Sequence, residues 1–210
     1  MSGPAIDALD LAALLCSRVC HDLISPVGAI VNGLEVLAEE KDEETKTFAL
    51  DLIKKSATTA SAKLQFCRIA FGAAGSAGAQ IDLGDAQTIS RGFFEDDKTK
   101  LEWNLPRLLL IKNRVKLLLN MLLIAGQAIP RGGKLTVDGV GTGDTMGFRV
   151  GAAGTNAKIP PAVPPLLAAD SIEGLDAHRI QPFYTGLLAK ACGLTVGIAM
   201  EGDVVVVATA

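Results

Sequence analysis

The chain has 210 residues, is 49% apolar and 20% charged, and carries a net charge of −3. This composition excludes a disordered chain, and the length accommodates one large domain or two small ones. No cluster of Lys and Arg is present to neutralise a run of phosphates, which argues against nucleic-acid binding.

The N-terminal stretch MSGPAIDALDLAALLC has no positive n-region and carries Asp7 and Asp10, so it does not read as a signal peptide. A cytoplasmic protein with four reduced cysteines is the expectation. Apolar periodicity predicts one long helix over residues 7–40, ending in the solvated cluster AEEKDEE, and a second over 43–72. The short turn between them implies an antiparallel helical hairpin. The Gly/Ala/Ser-rich GAAGSAGAQ then reads as a linker, separating a domain over 1–75 from a second over 81–210.

In the second part, DAQTISRGFF looks helical and TKLEWNL looks like a strand. Residues 111–129 form a long apolar helix, and the run around it is too charged for a membrane span, with Arg107, Lys112, Arg114 and Lys116 inside it. GKLTVDGV and TMGFRVGA flank the hairpin turn GTGD. QPFYTGLLAKACG reads as a helix ending at Gly193, and LTVGIAM and DVVVVATA as a last hairpin around EGD. The predicted class is α + α/β: an N-terminal helical hairpin followed by a two-layer α/β sandwich.

The stretch CSRVCHDLISPVGAIVNGLEVL, residues 16–37, places a histidine in an otherwise apolar helix. Leu9, Ala13, Cys16, Cys20, Leu23, Val27, Ile30, Leu34 and Leu37 repeat at heptad spacing and should face other helices. At about 100° per residue, His21 lies roughly 150° from that seam and is expected to be exposed. Arg18, Ser25, Gly28, Asn32 and Glu35 share its face, with Ile24 and Val31 flanking it. A stripe of small residues edged by aliphatics suits a docking helix from a partner; the plainer alternative is a solvated face. One hairpin cannot bury so long a seam, whereas two copies packed as a four-helix bundle can, so a homodimer is expected.

Several chemistries compete for His21. CSRVCH has one residue too many between its cysteines for haem attachment. Cys16 and Cys20 share the seam, His21 points elsewhere, and no C-x-x-C pair supports zinc, so small buried thiols are the expectation. A hydrolase triad lacks a G-x-S-x-G elbow, and the second histidine, His178, reads as a surface or capping residue. What remains is nucleophilic attack on phosphorus by a neutral imidazole, with the adjacent Asp22 orienting it or taking its other proton. Pro26, inside the same helix, is expected to bend it just below the histidine.

His21-Asp22-Leu23-Ile24-Ser25-Pro26, in a hairpin followed by an α/β domain, resembles the H-box of histidine kinases. The second domain resembles their ATP-binding domain with its key residues lost. In that comparison LLLNMLLIAGQA corresponds to the N-box helix, with Ile124 at the metal-binding asparagine. Ala152, Gly154 and Asn156 stand where D-x-G-x-G is expected, and no Gly-rich lid precedes QPFYTGLLAKACG. Nearly the whole chain resembles the ChpT-type histidine phosphotransferases of alphaproteobacteria.

That resemblance implies a dimeric relay protein that does not use ATP and holds no cofactor of its own. Phosphate would pass from the receiver aspartate of a hybrid histidine kinase of the CckA type to His21. From there it would pass to response regulators of the CtrA and CpdR type, with Mg²⁺ expected from the partner receiver. Ile24, Ser25, Gly28 and Val31 are the expected receiver-docking surface, with Arg18 a candidate for neutralising phosphate charge. The alternatives are a non-catalytic scaffold of kinase shape and an atypical active kinase; phosphatase activity toward receivers would use the same surface.

Overall fold

The computed structural model describes residues 6–72, 78–142 and 146–210. Two long helices come first: α1, Ala8–Glu39, and α2, Glu43–Ala70. Each starts on an aspartate whose carboxylate accepts a backbone N–H that the helix cannot satisfy itself: Asp7 from Leu9 and Asp42 from Thr45. The Thr45 hydrogen bonds hold the Asp42 carboxyl below its usual range. The three residues between the helices close an antiparallel hairpin, as the spacing predicts.

The hairpin packs through an unexpected stripe of α1. The residues fully buried on α1 are Pro26 and Gly33, and a Cβ on Gly33 would sit 2.7 Å from Ile53 of α2. Close helix approach is thus made by small residues, and the helix runs on through Pro26. Of the heptad seam, Leu9, Val27 and Leu34 are exposed on the single chain, while Leu23, Ile30 and Leu37 are half-buried. On the single chain Cys16 and Cys20 of that seam are exposed, and Cys67 is buried. By length and composition α1 is apolar enough to cross a membrane; in this fold it is one arm of the hairpin.

The rest of the chain builds a sheet with helices on one face. Its elements are β1 (Gln80–Asp82), α3 (Leu83–Phe94), β2 (Thr99–Trp103), β3 (Leu109–Ile111), α4 (Lys112–Ala128) and β4 (Gly133–Val140). There follow β5 (Gly147–Ala153), α5 (Val163–Leu167), α6 (Ile180–Ala191), β6 (Val196–Glu201) and β7 (Val204–Thr209). The five-stranded sheet has the order β2-β4-β5-β7-β6, parallel only between β2 and β4. Strand alternation sends Leu135, Val137, Phe148, Val150, Ala152, Val205 and Val207 to the covered face, where all are fully buried. Lys134, Asp138 and Arg149 lie at alternate positions on the other face. Most of the α4 side chains are buried, Lys116 and Asn120 included.

Each helix and strand read from the second part of the sequence is present. Three short elements were not expected. β1 and β3 pair as a two-stranded ribbon, and α5 carries two prolines in five residues. The proposed linker falls mostly on 73–77 and the tip of the GTGD turn on 143–145, both outside the described residues. The core is continuous across that linker: Phe66 and Ala70 of α2 belong to the same buried cluster as α4 and the sheet.

Candidate functional site

A second, smaller core decides where the middle of α1 lies. Leu11, Leu14 and Leu15 of α1 pack with Ile180 and Phe183 at the start of α6, with Leu175 before it, and with Leu166 of α5. Just before α6, the Asp176 carboxylate accepts the backbone N–H groups of His178 and Arg179, both at 2.8 Å. These hydrogen bonds, Arg179 foremost, hold the Asp176 carboxyl below its usual range. Arg179 Nη1 donates to the Gly174 carbonyl at 2.9 Å. Of the two roles expected for His178, surface or cap, it takes the surface one, and Asp176 holds the turn before α6.

This turn presents His178 to the histidine of the H-box. The rings of His21 and His178 meet edge to face, with centroids 4.5 Å apart and an interplanar angle of 79°. The His21 side chain is 55% exposed, as the wheel geometry predicts. Its Nδ1 lies 3.5 Å from Asp22 Oδ1. The other carboxylate oxygen accepts from Arg18 Nε at 3.0 Å. Arg18 and Asp22 are mostly covered, with side chains 14% and 15% exposed. Arg18 is therefore engaged with Asp22 in this state. Lys63 of α2 donates to the Asp22 carbonyl at 3.1 Å and ties the hairpin together at this level.

A carboxylate beside Nδ1 favours the tautomer with its proton there, which leaves the lone pair on Nε2. Nε2 has no hydrogen-bond partner among the described residues. Along α1, Ile24 is 69% exposed, Val31 48% exposed, and Ser25 exposed. A Cβ on Gly28 would meet nothing within 4 Å. The surface beside His21 is therefore open, low and edged with aliphatic side chains.

Three of the positions that the resemblance assigned to metal and nucleotide contacts are closely packed. Ile124 and Ala152 are fully buried aliphatics. A Cβ on Gly154 would lie 2.5 Å from the Gly132 carbonyl oxygen, so this turn is packed closely against backbone. Asn120 donates to the carbonyls of Ala70 and Lys116, and Gln181 of α6 donates to Asn120 Oδ1 at 3.1 Å. Asn120 thus helps fasten α4 to α2 and α6.

Sequence reasoning missed His178 and Lys63 as neighbours of the site. Only the D-x-H-R start of a helix was visible around His178, and that pattern signals a cap and no tertiary contact.

Residues 83–204 match the family described as histidine phosphotransferase C-terminal domain. A helical hairpin with an exposed histidine, continuous in its core with that domain, completes the pattern, and the chain belongs to the histidine phosphotransferase family. The chain is 52% identical over 208 residues to the protein phosphotransferase ChpT of Brucella abortus (strain 2308), covering 98% of both chains. A solved bacterial phosphotransferase superposes with a TM-score of 0.90 at 47% identity, over 100% of each chain. The Acinetobacter baumannii histidine kinase AdeS aligns at 12% identity and a TM-score of 0.45 over 90% of this chain and 95% of its own.

Proposed function

We propose that this protein carries a phosphoryl group between receiver domains of a two-component phosphorelay, with His21 as the carrier. The observation that carries the reading is an exposed imidazole with a carboxylate at Nδ1 and an Nε2 unpartnered among the described residues, on a chain 52% identical to a named phosphotransferase over 98% of both.

In this reading the Nε2 lone pair of neutral His21 attacks the phosphorus of an aspartyl phosphate on a receiver. The P–N bond forms as the bond from phosphorus to the aspartate oxygen breaks, releasing the receiver carboxylate. The positive charge left on the ring, with its proton on Nδ1, is matched by Asp22. The reverse step delivers the group to the aspartate of a second receiver. Mg²⁺ belongs to the acidic pocket of the receiver, and Ile24, Ser25, Gly28 and Val31 form the surface on which that receiver docks. Catalysis is then mainly the positioning of two reactive groups on two proteins.

The finer assignments follow the same reading. The donor is the receiver of a hybrid kinase of the CckA type, and the acceptors are regulators of the CtrA and CpdR type. The protein works in the cytoplasm as a homodimer, supported by the exposed apolar side chains of Leu9, Val27, Leu34 and Phe48 on the hairpin. Residues 1–75 act as the dimerisation and phosphotransfer unit and 81–210 as the second domain. The histidine itself, with Asp22 and Pro26 beside it, weighs for chemistry over a bare scaffold.

The test is a two-receiver relay without ATP. One receiver domain carries ³²P on its aspartate, and a second is unlabelled. Wild-type protein in trace amount should move label to the second receiver, and His21→Ala should not. Equal movement with both would remove His21 from the pathway.

A further inference from the structure

We propose that His178, from the second domain, is a positioning residue for His21: its ring holds the carrier imidazole in the orientation that presents Nε2 to a docked receiver. The inference rests on the phosphotransfer reading above and adds to it a residue outside the hairpin.

An exposed histidine on a helix has more than one side-chain rotamer open to it, and its ring torsion is broad. His21 is restrained on one side by Asp22, but at 3.5 Å that is a long hydrogen bond and leaves the ring free to swing about it. The His178 ring removes that freedom, since it meets His21 edge to face at 4.5 Å. Edge-to-face is one of the two favoured geometries of paired aromatic rings.

His178 is itself well anchored. The Asp176 carboxylate holds its backbone N–H, and Arg179 is fastened to Gly174. Two residues beyond, Ile180 is fully buried in the core that also receives Leu11, Leu14 and Leu15 of α1. The clamp is therefore built on the same packing that fixes α1, so ring and target move together. The charged groups around the pair are Asp22 and Arg18 from α1, Lys63 from α2, and Asp176 and Arg179 from the turn before α6. His178 and His21 both lie at the surface, so their contact adds little to the core. Its position against the carrier histidine is what asks for a role.

The test compares wild type, His178→Ala and His178→Phe. An isolated receiver domain of a hybrid kinase, phosphorylated with ³²P-acetyl phosphate, serves as donor. Single-turnover transfer is followed over a range of receiver concentrations, separating rate at saturation from half-saturation. Ring-current shifts of the His21 ring protons are read in parallel by NMR, which needs no transfer.

The expected result is a drop of roughly ten- to hundredfold in saturated rate for His178→Ala, with half-saturation unchanged. His178→Phe, which keeps a flat ring, should recover most of the rate. The His21 proton shifts should move in the Ala variant and persist in the Phe variant. A wild-type saturated rate in His178→Ala overturns the inference, as does a change confined to half-saturation, which would make His178 a docking residue. A Phe variant as slow as Ala overturns it too, because the flat ring would then not be the active feature. If wild type itself accepts no label, the phosphotransfer reading fails and this inference falls with it. Wild-type transfer with a fully active Ala variant overturns the inference alone.

Discussion

Arg18 and Asp22, one turn apart on α1, form an ion pair at 3.0 Å that holds the carboxylate beside His21 Nδ1. Asp22 faces two ways, toward the arginine with one oxygen and toward the imidazole with the other. Asp22→Asn keeps the shape and removes the charge that would match the ring during attack. The saturated transfer rate should fall about hundredfold or more, the lower end of the range of a positioned acid–base partner. Arg18→Ala should slow transfer less, because the carboxylate remains. Because both side chains are mostly covered, removing either partner leaves the other partly desolvated, and each variant should lose about 1–3 kcal/mol of unfolding stability. Rapid-quench transfer and a denaturant titration check both statements, and an Asp22→Asn protein at wild-type speed would take the carboxylate out of the mechanism.

The seam of α1 gives the second prediction. Val27 and Leu34 are about half exposed on one chain, on the face that carries Cys16 and Cys20. If that face closes a four-helix bundle, Val27→Glu with Leu34→Glu should shift the protein from dimer to monomer in sedimentation velocity. The thiols of Cys16 and Cys20 should then react with maleimide much faster than in wild type. A monomeric wild type, or a double variant that sediments as a dimer, would move the interface elsewhere.

Gly186 of α6 is a close-approach position. A Cβ there would fall on the Leu167 carbonyl oxygen and lie 3.0 Å from Ala169 Cβ. Gly186→Ala must push α5 and α6 apart and overpack their contact. The expected loss is about 1–3 kcal/mol, a fall in Tm of roughly 2–12 °C by differential scanning calorimetry. An unchanged Tm would show that α5 yields without cost.

Cys67 supplies a pH prediction. Burial, and secondarily the nearby Asp22 charge, push its thiol up to about 11 from an ordinary value of 9.0. The unfolded chain therefore loses this proton at lower pH than the folded one. The stabilisation is fully present below about pH 9 and declines as pH rises toward 11. Cys67→Ser should flatten the stability curve between pH 9 and 11. Urea titrations across that window measure it, and parallel curves for the two proteins would rule the thiol out as the source.

Much of this site is local and therefore legible in the sequence. The exposure of His21, its carboxylate neighbour and the open stripe of Ser25, Gly28, Ile24 and Val31 follow from helical periodicity alone. So do the hairpin, the sheet strands and the Gly193 stop, where the backbone turns left-handed at φ +68°. What the pattern hid is which stripe of α1 meets α2. Apolar spacing points to Leu9, Val27 and Leu34, while the intrachain contact uses Pro26 and Gly33, whose small size lets the helices approach. The proline-rich α5 and the three-residue β1 and β3 carry no periodic signal of their own. His178 was invisible for another reason: its meeting with His21 depends on how α6 docks on α1 through Ile180, Phe183, Leu14 and Leu15. No spacing within either segment encodes that docking.

The most direct measurement is the chemical identity of the phosphorylated atom. Protein phosphorylated from a labelled receiver without ATP should carry an acid-labile, base-stable phosphoramidate. Two-dimensional ¹H–³¹P NMR should place it on His21 Nε2, the nitrogen left open by Asp22. A phosphoryl group on His178, on His21 Nδ1 or on a carboxylate would contradict the account of the site given by the His21–Asp22 geometry.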